Sequence, residues 1–287
     1  MLKLAKIQLD HVSYIYSPGT PYEIKALDDV SAEIEEGKIT GIIGHTGSGK
    51  STFVQLLNGL EKPMSGKVLL DGQDIWEKPR EIGKIRFRVG LVMQYPEYQL
   101  FEETIRRDIA FGPKNMGLSD AEIAERVEMA ADFVGLDRQL LDKSPFDISG
   151  GQKRRAAIAG IMAMRPDVLV LDEPAAGLDP QGRDGIFEGL VRYGRETGAT
   201  VIIVSHSMED MARFCDELIV MARAKIAMRG NCAEIFSRAN ELERIGLSAP
   251  EITRLMSELK GRGIDVSESI YTVEDAAKAL ASVMKEK

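Results

Sequence analysis

The sequence predicts an α/β fold, on three observations. Residues 168–171 (Val-Leu-Val-Leu) and 201–204 (Val-Ile-Ile-Val) are unbroken aliphatic runs, the pattern of strands in a parallel sheet covered on both faces. Residues 39–43 form a further apolar strand that runs straight into a Gly-rich loop and then into a stretch of helix character at 52–57. Between about 95 and 165 the periodicity turns helical before strand character returns, so a helical block is inserted into the α/β core.

From the amino end, residues 7–12 and 30–34 alternate as strands with turn signals between them. Residues 67–70, followed by Asp71-Gly72, read as a strand and tight turn, and residues 89–93 as another strand. Ser119 and Glu122 form a capping-box signature ahead of Ile123, Val127, Ala130 and Val134, which recur at helical spacing. From about 231 the character changes. Ser248 with Glu251, and Thr272 with Asp275, each open a short amphipathic helix, one carrying Ile252, Leu255, Met256 and Leu259, the other Ala276, Leu280 and Val283. This tail holds no catalytic constellation, so residues 1–230 read as the main domain and 231–287 as an accessory domain, for subunit contact or as an extra layer on the core.

Composition sets the bounds. With 287 residues, 44% hydrophobic and 29% charged, the chain suits a globular protein of one large domain and a small appendage. Lys and Arg total 37 against 45 Asp and Glu, a net charge of -8, so the overall field repels nucleic acid and anionic membrane surface alike. Any contact with either must run through a local patch or a protein partner. The apolar stretch 156–164 is cut by Arg165, well short of the roughly 20 residues a membrane-spanning helix needs. The first residues lack a secretory apolar core, which makes the cytoplasm the expected compartment. Cys215 and Cys232 form no CxxC or Cys/His cluster and read as reduced core thiols.

The chemistry concentrates in two Gly-rich elements. In Gly44-His45-Thr46-Gly47-Ser48-Gly49-Lys50-Ser51-Thr52 the glycines let successive backbone amides curl around phosphate, and the following helix turns its positive end toward the same anion. Lys50 supplies a charge for the β- and γ-phosphates of ATP, and Ser51 a hydroxyl for Mg²⁺. The second element, Ser149-Gly150-Gly151-Gln152, lies far downstream, and a chain that only binds ATP has no use for it. Its presence implies ATP held between two copies of the fold. Asp172 closes an apolar strand where a carboxylate reaches the metal held by Ser51, and Glu173 follows beside the γ-phosphate position, placed to orient the attacking water. His206 ends the strand at 201–204 on the same sheet edge, within reach of the γ-phosphate, and Gln94 ends the strand at 89–93, within reach of the metal or the water. Tyr16 offers a flat face for adenine, with Tyr14 the rival.

These residues together resemble, in order, the motifs of ABC-type ATPase subunits: the aromatic A-loop (Tyr16), Walker A (44–52), the Q-loop (Gln94), the signature (148–152), Walker B (168–172) with its adjoining Glu173, the D-loop ending at Asp179, and the switch His206. The resemblance covers roughly residues 5–235. It implies a P-loop NTPase (RecA-like) core with an antiparallel β subdomain, an inserted α-helical signature subdomain and a small C-terminal dimerisation domain. It also implies head-to-tail pairing, in which the signature of one subunit, with Asp179, closes over ATP held by the Walker A of another. Residues 94–104, 109–115 and 155–160 are similar to the ATPase subunits of energy-coupling factor transporters, with the glutamate-tyrosine version and the Gly-Pro-Lys-Asn run closest to the second, A-prime, type. Residues 248–253 resemble that group's dimerisation domain. The resemblance implies uptake of a vitamin or transition-metal ion, a peripheral location on the cytoplasmic face of the cell membrane, and a second ABC ATPase as partner, an identical copy or, the favoured reading, a paralogue. It further implies a membrane T component docked near Gln94, Glu97 and Tyr98, with a solute-binding S component reached through the complex.

Two departures stand out. Ile148 replaces the usual leucine of the signature, a volume-conserving change. Ala222-Arg223-Ala224 occupies a hairpin that usually carries glycine. Neither removes a catalytic group. The alternatives are another ABC transporter and a soluble ABC clamp on nucleic acid or ribosome. The clamp is opposed by the acidic balance and by the lack of a coiled-coil insertion, zinc cysteines or a second ATPase unit.

Overall fold

The computed structural model describes residues 5–285. In chain order come strands β1 (Ala5–Tyr16), β2 (Ile24–Glu35) and β3 (Ile39–Ile43), helix α1 (Lys50–Leu57), β4 (Ser65–Leu70), β5 (Gln73–Asp74), α2 (Ile82–Arg88), β6 (Val89–Val92), α3 (Ile105–Asn115), α4 (Asp120–Phe133), α5 (Gly150–Met162) and β7 (Val168–Asp172). Then follow α6 (Pro180–Thr197), β8 (Thr200–Val204), α7 (Met208–Phe214), β9 (Glu217–Ala222), β10 (Lys225–Asn231), α8 (Cys232–Phe236), α9 (Ala239–Arg244), α10 (Glu251–Gly261) and α11 (Val273–Lys285).

The strands form two sheets. An antiparallel sheet runs β2-β1-β4-β5, and a larger one runs β10-β9-β3-β8-β7-β6, parallel except where β10 pairs with β9. Alternation explains why the central strands are apolar throughout. Leu169, Leu171, Val201 and Ile203 face one core cluster, shared with α3 to α7, while Val168, Val170, Ile202 and Val204 face the other, shared with α1 and the antiparallel sheet. The expected helical block lies between β6 and β7, which are sheet neighbours, so the block stands beside the sheet without interrupting it.

Local signals act as the chemistry dictates. Asp71 and Gly72 both take positive φ, 51° and 77°, in the two-residue turn from β4 to β5. The capping box at Ser119 and Glu122 is formed. Arg223 and Ala224 turn β9 into β10 with φ of 50° and 63°, the left-handed conformation that glycine would take without strain. The Ala224 carbonyl accepts the Asp28 N–H at 2.9 Å, which fastens the turn to the other sheet.

The tail departs from expectation at one cap. Thr272 accepts the Asp275 N–H at 3.3 Å and caps α11, but Ser248 caps nothing. Leu247 and Ala249 are packed into the main core, which keeps the chain extended there, and α10 begins later, at Glu251 behind Pro250. The Glu251 N–H donates to Glu209 Oε1 of α7 at 3.4 Å. Residues of α8 and α9, including Ile235, Phe236 and Leu242, belong to the main core, whereas Met256, Val266 and Ala276 form a cluster of their own.

Candidate functional site

The carboxyl ends of β3 and β7 meet over a cavity of about 360 Å³. It is lined by Tyr16, Ile24, Thr46, Gly47, Gly49, Lys50, Ser51, Thr52, Gln94, Asp172 and Glu173 among others. Gly47 and Gly49 take φ of 79° and 104°, and a side chain on Gly49 would collide with the Ala26 carbonyl, so the loop keeps its path only with glycine there. Gly49 then leads into α1, whose first residue is Lys50. The Lys50 ammonium donates to the carbonyls of Gly44 at 2.6 Å and His45 at 3.0 Å, bracing the loop from inside. Burial pushes this ammonium below its ordinary pKa, opposed by Glu173 and Asp172. Ser48 is fully buried beneath the loop, and His45 is exposed, its Nδ1 2.7 Å from the Thr46 carbonyl.

Ser51 Oγ donates to Asp172 Oδ2 at 2.9 Å, joining the loop to the end of β7. Burial pushes the Asp172 carboxyl above the usual carboxylate range, with the Ser51 hydroxyl and Lys50 pulling the other way. Glu173 holds a left-handed backbone at φ 54° and donates its N–H to the Val204 carbonyl at 2.9 Å. A non-glycine residue in that conformation carries strain, which here turns the carboxylate off the strand line into the cavity. His206 Nδ1 lies 2.9 Å from both Glu173 carboxylate oxygens while the ring itself is 77% exposed.

Tyr16 and Tyr14 separate cleanly. Tyr16 lines the cavity, its hydroxyl 3.2 Å from Thr52 Oγ1, whereas the Tyr14 hydroxyl donates to Glu61 Oε2 at 2.5 Å and its ring packs edge-on to Tyr16 at 4.9 Å. Ile24 also lines the cavity and was not anticipated. It pairs with Tyr16 across β1 and β2, but the register shifts between Val30 and Lys25, so alternation along β2 carries no signal for it.

The second Gly-rich element lies outside this cavity. Ser149 caps α5, accepting the Gln152 N–H at 3.3 Å while Gln152 Oε1 accepts the Ser149 N–H at 2.9 Å, and Gly150 is exposed beside it. Leu178, in the loop before Asp179, approaches Gly151 closely enough that a methyl group there would crowd it. Asp179 caps α6, accepting the Gly182 N–H at 2.6 Å. Ile148 is buried in the helical core, in keeping with a volume-conserving change.

The turn after Gln94 is fastened to the helical block: Arg154 of α5 grips Glu97 with Nε at 3.0 Å and a terminal nitrogen at 2.7 Å, and Arg154 is 4% exposed. Charge on a buried arginine demands a carboxylate, so the nearest one turns inward. Tyr98 remains 83% exposed. Beside it an apolar groove of about 370 Å³ is lined by Phe87, Leu100, Phe101, Phe111 and Met164, with Asp108 at its wall. Burial raises the Asp108 pKa although its carboxylate accepts the N–H groups of Phe101 and Glu102.

The two cysteines are free thiols, and Cys232 Sγ donates to the Cys215 carbonyl at 3.2 Å. Among the described residues no helix is long and apolar enough to cross a membrane.

Comparison with known proteins adds a family. The model of the ABC transporter family matches residues 27–176. Over 280 residues the chain is 51% identical to the energy-coupling factor transporter ATP-binding protein EcfA2 of Clostridium perfringens, covering 97% of this chain and 98% of that one. It is 45% identical over 284 residues to the protein of the same name from Bacillus licheniformis, with 98% of each covered. Among solved structures it resembles CbiO1 of Clostridium perfringens, described as part of the ABC transporter complex CbiONQ, with a TM-score of 0.75, 38% identity, and 88% of this chain and 99% of that one covered. It also resembles the cassette MJ0796, solved as a dimer bound to ADP and Pi, with a TM-score of 0.71, 28% identity and coverage of 79% and 98%. A P-loop core with this order of motifs and relatives matched over nearly their whole length leaves one conclusion: the chain belongs to the ABC transporter family, and within it to the energy-coupling factor transporter ATP-binding proteins.

Proposed function

We propose that this chain pairs with a second ABC ATPase, a paralogous subunit, and that each ATP is sealed between the phosphate loop of one subunit and the signature of the other. As the ATPase subunit of an energy-coupling factor importer, the chain couples ATP hydrolysis to transport. The observation that carries the paired site is the division of its groups. Lys50, Ser51, Asp172 and Glu173 line one cavity, while Ser149, Gly150, Gly151 and Asp179 lie outside it on helix starts of their own.

Each residue then has a task. The loop 44–52 holds the phosphates through backbone N–H groups and Lys50, Tyr16 stacks on adenine, and Ser149 with Gly150, Gly151, Gln152 and Asp179 meets the partner's nucleotide. Glu173 orients the attacking water, and His206, held by Glu173, contacts the γ-phosphate. Among the described residues no group of three or more His, Cys, Asp or Glu gathers to hold a metal. A cation would therefore rest on Ser51, Asp172 and Gln94 together with the phosphates. These are oxygen donors of the kind Mg²⁺ takes, and when bound the ion screens the phosphate charge.

The apolar groove beside Tyr98 and Phe101 supports docking of a helix from a membrane T component, and with it a peripheral position on the cytoplasmic face of the cell membrane. A separate S component selects the solute, a vitamin or transition-metal ion, and residues 231–287 strengthen the ATPase pair. No nucleic acid takes part. The test is isolation of the intact complex from membranes and identification of every subunit and any small molecule retained. A second ATPase with multispanning partners is expected. Recovery of the chain free of membranes, with a partner released by nuclease, would sink the reading in favour of a nucleic-acid clamp.

A further inference from the structure

We infer that Arg183 is a positioning residue for hydrolysis, tying the loop that ends at Asp179 to the loop that carries His206, an inference that rests on the site reading above. Arg183 lies in the first turn of α6, and its backbone N–H donates to the Asp179 carbonyl at 2.9 Å, so it moves with that loop. Its Nε donates to both Asp210 oxygens at 2.8 Å. A terminal nitrogen sits 2.7 Å from Asp210 Oδ1 and donates to Ser207 Oγ at 2.5 Å. Asp210 is 7% exposed and the Arg183 side chain 37%, so a half-exposed guanidinium is fixed by several charge-assisted bonds to a buried carboxylate.

Ser207 follows His206 directly. Its hydroxyl also accepts the Asp210 N–H at 3.3 Å, and its own N–H donates to Ser205 Oγ at 3.1 Å. The exposed ring of His206 is held by Glu173, and its backbone is held through Ser207. A shift in the first turn of α6 therefore pulls on Ser207 and swings His206 relative to Glu173. A second tie, Arg213 to Asp184 at 2.8 Å with Phe187 stacked on Phe214, joins the same two helices with no bond to Ser207. The two ties allow helix packing and residue positioning to be told apart.

The experiment uses the transporter complex isolated with its partners and measures ATP hydrolysis above the level left by Glu173→Gln. Arg183→Lys keeps a cation beside Asp210 but loses the guanidinium fork, in which Nε and a terminal nitrogen together engage Asp210 while that same terminal nitrogen holds Ser207. Its kcat is expected to fall about tenfold, with KM for ATP within about twofold of the parent. Ser207→Ala is expected to match it, and Ser207→Thr, which keeps the hydroxyl, to recover most of the rate. Arg213→Ala, which cuts the other tie, is expected to hold kcat within about twofold. An Arg183→Lys complex that keeps its kcat, or a Ser207→Thr complex as slow as Ser207→Ala, overturns the positioning role. So does an Arg213→Ala complex as slow as Arg183→Lys, because helix packing then accounts for the effect. Undiminished hydrolysis in Glu173→Gln overturns instead the site reading on which the inference rests.

Discussion

The two Gly-rich elements make opposite use of similar residues. Around the phosphate loop the polar side chains tie separate elements together at one cavity: Lys50 braces carbonyls of its own loop, Ser51 reaches Asp172, and Glu173 holds His206. At Ser149-Gly150-Gly151-Gln152 the same kinds of group satisfy only their own helix start and leave Gly150 bare. On the proposed reading the first region receives a ligand within the chain, and the second is presented to a partner. A binding surface completed by a neighbour needs rigidity without an internal target, and a capping box supplies that.

Five experiments break or sharpen this contrast. The largest effect belongs to the receiving side: Glu173→Gln is expected to keep ATP binding while turnover falls by about 10²–10⁴-fold, read by nucleotide binding beside steady-state hydrolysis. Next, Arg154→Met leaves the Glu97 carboxylate without its guanidinium and is expected to cost about 3–5 kcal/mol by denaturant unfolding, with much of the loss recovered when Glu97→Met is added. Tyr98→Ala serves as its counterpart, expected within about 0.5 kcal/mol in stability while weakening retention by the membrane partner.

Ser149→Ala tests the presented side. Loss of the cap is expected to cost about 1 kcal/mol and lower Tm by about 2–4 °C, leaving ATP affinity of the dilute chain unchanged while hydrolysis by the pair falls. Weakened ATP binding by the dilute chain would show that the signature acts within its own subunit.

The smallest effect concerns Asp172. Its folded-state pKa is raised, so the folded chain binds a proton that the unfolded chain has released, and this contribution to stability fades as pH climbs from the ordinary carboxylate value through the raised one. Asp172→Asn is expected to flatten that part of the profile of Tm against pH. An unchanged slope would remove burial of this carboxylate as its cause.

The legible part of the molecule is the part where one residue type answers one local demand. The glycines of the phosphate loop, the aliphatic β3, β7 and β8, and the box at Ser119 could all be read from neighbours in sequence. What escaped depends on distant partners. Nothing near Arg154 in sequence announces Glu97, and nothing near Arg183 announces Asp210. The choice between Tyr14 and Tyr16 rested on Glu61, in a turn after α1, and Ser248 lost its cap to packing of Ala249 on the main core. Tertiary contact decided each of these, and periodicity carries no trace of it.

The grip of Arg154 on Glu97 has a mechanical side. Arg154 is rooted on α5 a little more than one turn from Ser149, and it holds Glu97 through two parallel bonds that resist twisting as well as stretching. The turn after Gln94 and the start of α5 are thus joined by one stiff link, and under the proposed docking a load applied at Tyr98 would reach Ser149 through Glu97 and Arg154.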